Sequence, residues 1–185
     1  TTMFCDIRGS SQIAERLSPQ ELVTLLNEHF TAMTEILFTY KGTLDKYIGD
    51  EIMAIFGAPI AIGDEDYRAV WAALEMQRKN HELNTMRRSE NRPQLHFGIG
   101  IDSGEVIAGY IGSPKRMDFT VVGDRVNTAK RFCDMAGPGK VVVGENTWNA
   151  LEPYAEGIAM GKLTLKGKQK TVYACEIISL RKKDV

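Results

Sequence analysis

Two strand-like runs, Thr43 to Ile48 and Glu51 to Phe56, are separated only by Gly49 and Asp50. A junction that short makes a β-hairpin the economical reading, because a return in parallel needs a crossover of about a dozen residues or more. Just upstream, Ser18 and Pro19 form an N-cap and first-turn pair. Leu22, Leu25, Leu26, Phe30, Met33, Ile36 and Leu37 then recur at helical spacing until Lys41 and Gly42 stop the run. A long amphipathic helix that feeds a tight antiparallel pair has to lay its apolar stripe on a sheet. Asp50 then sits at the hairpin tip.

The rest of the chain fits around that unit. Thr2 to Ile7 reads as a strand running into the small-residue turn Arg8, Gly9, Ser10, Ser11. Asp64 to Arg87 returns to helical spacing, and the polar stretch from Arg87 to Pro93 breaks it. Strands are expected over Leu95 to Ile101, Val106 to Ile111 and Phe119 to Val122, followed by a helix from Gly123 and Asp124 to about Ala136. Mostly strand follows, with one short helix near Asn146 to Leu151. This order predicts an α+β fold: a ferredoxin-like (palm-type) antiparallel sheet with helices packed on one face, residues 1–185 forming one domain.

Charge narrows the partners. The 185 residues carry 23 basic and 24 acidic side chains, which gives no basic surface for nucleic acid, so an anionic ligand must be held by a few placed groups. The longest apolar runs, such as Glu51 to Ile62, fall short of the roughly 20 residues a membrane span needs. Cys5, Cys133 and Cys175 are odd in number and widely spaced among apolar neighbours, so buried reduced thiols in a reducing, cytoplasmic setting are expected. A strand begins almost at once and no initiator Met precedes it, which reads as a domain cut from a longer protein.

Two groups of residues can carry chemistry. Asp6 at the end of the first strand and Asp50 at the hairpin tip converge at one sheet edge, where paired carboxylates suit hard divalent cations that keep room for phosphate. Taken singly, Asp6 reads better as a helix cap and Asp50 as a turn residue, and only their conjunction is informative. Gly9, Ser10 and Ser11 follow at a helix start, where free backbone N–H groups can receive a phosphate. Lys46 shares a face with Leu44 and Ile48 on period-two alternation, either as a solvated amine or as a donor to a purine ring nitrogen. On the helix after Gly123, Asn127 and Arg131 project from one face beside a stripe of Val126, Ala129 and Cys133. That face is either solvated or offers an amide and a guanidinium suited to a phosphoryl group.

Taken in order, Phe4-Cys5-Asp6-Ile7-Arg8-Gly9-Ser10, Lys46-Tyr47-Ile48-Gly49-Asp50 and Val122-Gly123-Asp124-Arg125-Val126-Asn127, with Arg131 beyond, resemble the motifs of class III nucleotidyl cyclase catalytic domains. The resemblance spans nearly the whole chain and is nearest to bacterial, cyanobacterial and soluble-type adenylate cyclases. It implies that Asp6, Asp50 and the Ile7 carbonyl hold two divalent cations, Mg2+ or Mn2+, against the phosphates of ATP. It further implies that Lys46 and Thr120 select adenine, that Asn127 orients the ribose, and that Arg131 stabilises the transition state. Lys166 resembles the lysine that binds the triphosphate, and Lys115 or Arg116 a second phosphate contact. The product is then cyclic AMP. A threonine at 120 resembles the bicarbonate-responsive branch. The family shares its sites across a head-to-tail dimer, so a homodimer is implied, with regulatory domains elsewhere in the full protein.

Two other readings compete. Ile48-Gly49-Asp50-Glu51-Ile52 resembles the Gly-Gly-Asp-Glu-Phe hairpin of diguanylate cyclases, although Ile48 replaces its first glycine. A silent nucleotide-binding or dimerisation module of cyclase fold is the alternative from another class. Guanylate cyclases carry Glu and Cys where this chain has Lys46 and Thr120.

Overall fold

A computed structural model describes residues 1–164 and 171–183. The chain runs β1 (Thr2–Ile7), α1 (Ser10–Ala14), α2 (Pro19–Thr39), β2 (Thr43–Ile48), β3 (Glu51–Ile55), α3 (Glu65–Ser89), β4 (Phe97–Asp102), β5 (Ile107–Ser113), β6 (Arg116–Val122), α4 (Asp124–Met135), β7 (Val141–Gly144), α5 (Glu145–Leu151), β8 (Ala155–Leu163) and β9 (Val172–Leu180). α2 starts at the expected cap. The Ser18 hydroxyl accepts from the Glu21 N–H, and the Glu21 carboxylate accepts from the Ser18 N–H, which satisfies donors that no helical carbonyl can reach.

Seven strands form one sheet in the order β2-β3-β1-β4-β7-β9-β8, and β5 with β6 makes a separate two-stranded ribbon. The α+β expectation holds, with two differences. Every pair in the large sheet is antiparallel except β4 with β7, which is parallel. A parallel return needs a crossover, and this one carries α4. Helices consequently cover both faces. Met3, Cys5 and Ile7 of β1 pack with Leu25, Met33 and Leu37 of α2 and Ala69 to Met76 of α3, while Phe4 packs with Met53, Ala129 and Cys133 on the α4 side. All three cysteines are free and buried, as expected.

Lys46 departs from simple alternation. Leu44 pairs with Ala54 but Lys46 pairs with Met53, so Asp45 is an extra residue, a β-bulge. Residues directly opposite share a face. Leu44 therefore follows Ala54 into the α2 and α3 core, and Lys46 follows Met53 to the α4 side. The expectation that Lys46 and Leu44 share a face is overturned by that one inserted residue. The supposed break at Arg87 also moves: α3 continues to Ser89, and Arg87 is buried beside Glu28 of α2 at 3.6 Å.

His29 of α2 is wholly buried, edge-on to Phe97 at 5.0 Å, and neither ring nitrogen has a hydrogen-bond partner. Burial, with the nearby Arg87 charge adding to it, pushes its pKa down to about 3 from the usual 6.5. The unfolded chain then takes up a proton that the folded one refuses. Stability is full above the unfolded value and falls as pH drops from about 6.5 toward 3, by about 1.4 kcal/mol per pH unit inside that window. Denaturant titrations from pH 7.5 to 5 should show this decline, and His29→Phe should flatten it. An equal slope in both proteins would remove His29 as its source.

Candidate active site

β1 and β3 pair so that Asp6 faces Glu51, the neighbour of Asp50 at the hairpin tip. The register thus brings the two expected carboxylates to one sheet edge and adds a third that the sequence reading passed over. Asp50 Oδ2 is buried without a hydrogen-bond partner. Asp6 Oδ2 accepts from Arg8 Nη1 at 2.8 Å.

α4 lies hard against this corner because β4 carries Gly98 and Gly100 beneath it. A methyl group on Gly100 would overlap the backbone of Ala129 and Cys133, and one on Gly98 would overlap Ala136. Arg8 ties the helix down: besides Asp6, its guanidinium donates to the carbonyls of Ala136 (3.0 Å) and Cys133, at the C-terminal end of the helix. Lys130 reaches back from α4 to Glu51 at 2.6 Å and Asp134 at 2.8 Å, with Asp6 at 3.9 Å. Burial works against the Lys130 charge, but hydrogen bonds to Asp134 and Glu51 outweigh it and raise its pKa. Burial pushes Glu51 up, and Lys130 offsets this only in part. Neither Arg8 nor Lys130 was singled out from sequence. Lys130 sits one residue before Arg131 and reads as part of a solvated helix face until the glycines bring α4 onto the sheet.

The bulge creates the other corner. Lys46 Nζ lies 3.3 Å from Thr120 Oγ1 of β6, joining residues 74 apart in the chain. Thr120 in turn donates to Asp45 Oδ2 at 2.6 Å, and the Asp45 side chain is fully buried. A cationic donor and a hydroxyl oxygen therefore stand side by side, as the resemblance implies for a base-reading pair.

The remaining residues are distributed as follows. Gly9 is the N-cap of α1 with φ 70°, a left-handed conformation that suits glycine, and Ser10 opens the helix. Ile7 is buried and pairs with Phe97. Asn127 and Arg131 are exposed on α4 while Ala129 and Cys133 are buried, as the helical spacing predicts. Arg131 Nη1 is 3.6 Å from Asp134. Neither Asn127 nor Arg131 pairs with Asp6 or Asp50 among the described residues. Lys115 is exposed at the tip of the β5-β6 ribbon, roughly 16 Å along the strand from Thr120, so it is not brought to the Lys46–Thr120 corner of its own chain. Lys166 lies outside the described residues.

Among the described residues no three His, Cys, Asp or Glu side chains form a ready cation cage. The orphaned Asp50 oxygen, one residue along from the partner of Asp6 in the sheet, still fits a hard cation that takes one or two carboxylates and completes its shell with water and substrate phosphate.

Known proteins share the fold that carries these residues. Residues 1–176 match the family described as "Adenylate and Guanylate cyclase catalytic domain". Adenylate cyclase 1 of Rhizobium meliloti is 32% identical over 132 residues, which is 71% of this chain and 20% of that protein. Adenylate cyclase of Anabaena cylindrica is 38% identical over 136 residues, 71% of this chain and 26% of that protein. The chain therefore spans about a quarter or less of those relatives. Among solved structures, the adenylyl cyclase CyaB from P. aeruginosa is similar at TM-score 0.93 and 28% identity, covering 97% of this chain and 93% of that one. The guanylyl cyclase Cya2 is similar at TM-score 0.90 and 32% identity, covering 97% and 91%. Overall likeness thus leaves the purine base to be decided by the residues at the site.

Lys130 gives a direct check on the carboxylate corner. Lys130→Met leaves Asp6, Glu51 and Asp134 without their shared ammonium. With Lys130 at 35% side-chain exposure, solvent screening limits the expected loss to about 1–2 kcal/mol. Thermal melts in EDTA should show the variant below the wild type, and Mn2+ should narrow the gap by neutralising the same carboxylates. A melting point that neither the variant nor Mn2+ alters would contradict the assignment.

Proposed function

The chain belongs to the adenylate and guanylate cyclase catalytic domain family, and from that premise we propose that it is the adenylate cyclase unit of a longer protein. It converts ATP to 3',5'-cyclic AMP and pyrophosphate at sites shared between two copies. The observation that carries the base choice is the 3.3 Å approach of Lys46 Nζ to Thr120 Oγ1. An ammonium can donate to N1 of adenine while a hydroxyl oxygen accepts from the exocyclic amine. The Glu and Cys that guanylate cyclases carry at these positions are absent.

The shared-site reading rests on separation. Asp6 and Asp50 occupy one corner of this chain; Lys46 and Thr120 another, and Asn127 and Arg131 face outward from α4. Two copies related by a two-fold axis would set the carboxylate corner of one against the base corner and Arg131 of the other, twice over. The β5-β6 ribbon offers apolar surface for such contact, with Tyr110 and Ile107 more than two-thirds exposed (75% and 71%).

Family members use divalent cations. Bound at Asp6, Asp50 and the Ile7 carbonyl, Mg2+ or Mn2+ would neutralise triphosphate charge and acidify the ribose 3'-hydroxyl. The protein's own groups do the rest. Lys46 and Thr120 hold the base, and Asn127 fixes the ribose so that O3' lies in line with the α-phosphorus. As the O3'–Pα bond forms and the bond to the β-phosphate oxygen breaks, the Arg131 guanidinium meets the charge on the transferring group. Pyrophosphate leaves, and the 3'-hydroxyl proton passes to water or a substrate phosphate. Gly9, Ser10 and Lys166 are assigned to the triphosphate. Lys115, at the ribbon tip away from Thr120 of its own chain, is assigned to the phosphates of a partner's site.

The purified domain should form cyclic AMP from ATP with Mg2+ or Mn2+, prefer ATP to GTP, and respond to bicarbonate. Arg131→Ala should lose on the order of 10²-fold or more in turnover, the usual cost of one transition-state donor. Asp50→Ala should be inactive, and a mixture of the two variants should recover activity because one hybrid site is intact. No recovery under conditions of proven subunit exchange would sink the shared site. Cyclic GMP as the main product would overturn the base assignment, and metal-dependent ATP binding without any cyclic product would favour the silent module.

A further inference from the structure

We propose that Asp45 is a positioning residue that fixes the Thr120 hydroxyl as an acceptor, and so makes the base corner select a 6-amino over a 6-keto purine. The inference rests on the reading of Lys46 and Thr120 as base contacts, and it goes further by naming what sets their polarity.

A threonine hydroxyl alone is indifferent to the base. It carries one proton and rotates to donate to a keto oxygen as readily as it accepts from an amine. Here the proton is committed. Thr120 Oγ1 donates to Asp45 Oδ2 at 2.6 Å, the short length expected when the acceptor is a carboxylate. Asp45 has 0% side-chain exposure, so water does not compete for that bond, and Lys46 Nζ at 3.8 Å from Oδ1 supplies the counter-charge. Lys46 also donates to Thr120 Oγ1. What remains for a ligand is a lone pair on Thr120 beside the free N–H groups of Lys46.

A 6-amino purine offers a donor at position 6 and an acceptor at N1, the complement of that pair. A 6-keto purine offers an acceptor at 6 and a donor at N1, so like faces like at both points. Buried polar groups left unpaired in this way discriminate far more strongly than a change of shape. The bulge is what puts the carboxylate there. Without the extra residue between Leu44 and Lys46, the face on which each β2 side chain falls would change.

The test is the ratio of kcat/KM for ATP over GTP. Asp45→Asn keeps the size, but its amide can donate to Oγ1 and release the hydroxyl proton toward the ligand. It should lower the ratio about tenfold or more. In a Thr120→Val background, Asp45→Asn should leave the ratio unchanged. A merely structural role would reduce both nucleotides together, and an unchanged ratio in folded Asp45→Asn overturns the proposal. The wild type gives a check that needs no variant. Purine riboside triphosphate should compete better than its 6-methoxy analogue, which presents an ether oxygen to a fixed acceptor; equal or tighter binding of the methoxy compound also overturns the proposal. A wild type that prefers ATP with an unchanged variant ratio rejects Asp45 alone, whereas a wild type that prefers GTP rejects the adenylate reading and this inference with it.

Discussion

The close seating of α4 on the sheet is the contact on which the carboxylate corner and the outward placement of Arg131 depend. Gly98 and Gly100 leave no side chain between helix and strand, and Arg8 then closes the gap by holding the last carbonyls of the helix and Asp6 in one grip. At that distance successive helical residues are forced into opposite roles. Lys130 is drawn inward to Glu51 and Asp6, while Asn127 and Arg131 stay exposed. A helix seated about one side chain's thickness higher would lose the Lys130 contacts. One packing distance thus serves the carboxylate corner of this chain and the presentation of Arg131 away from it.

The second constraint is the bulge at Asp45. A regular hairpin would keep Lys46 on the face of Leu44, against the α2 and α3 core, where an ammonium has no partner and burial is costly. The inserted residue moves Lys46 to the α4 side and gives Asp45 a site where Thr120 donates to one of its carboxylate oxygens. Bulges are common where a side chain must be re-aimed, and here two are re-aimed at once.

These two constraints mark the limit of what the sequence made legible. The capped helix α2, the hairpin and strand β1 follow from local patterns, so Asp6, Asp50, Asn127 and Arg131 fall where spacing places them. The ordered motifs also pointed to the family that residues 1–176 match. Period-two counting fails at Asp45, because a bulge is a property of the pair and not of either strand. The polar run at Arg87 reads as a loop, since nothing local shows that Glu28, far upstream on α2, awaits it. The parallel pairing of β4 with β7 is likewise set by a crossover spanning the ribbon and α4, beyond the reach of any short window. Arg8 and Lys130 were invisible for the same reason: their charges matter only once the helix is seated.

Local charge completes the account of a chain whose net charge is only -1. At the carboxylate corner Asp6, Asp50, Glu51 and Asp134 stand against Arg8, Lys130 and, through Asp134, Arg131, so the corner keeps a small excess of negative charge. That excess would repel a triphosphate arriving alone and attract a divalent cation or a metal–nucleotide complex. Lys130 limits the repulsion among the carboxylates without cancelling it. Its close contacts go to Glu51 and Asp134, and Arg8 holds Asp6 at 2.8 Å, so Asp50, whose Oδ2 has no hydrogen-bond partner, is the least neutralised of the four. The base corner uses the opposite strategy, burying a single carboxylate against Lys46 and Thr120 so that its charge orders hydrogen-bond donors and is not offered to solvent. Near-neutrality overall is thus compatible with strong local charge, because one corner gathers several carboxylates at a sheet edge while the other buries a single one.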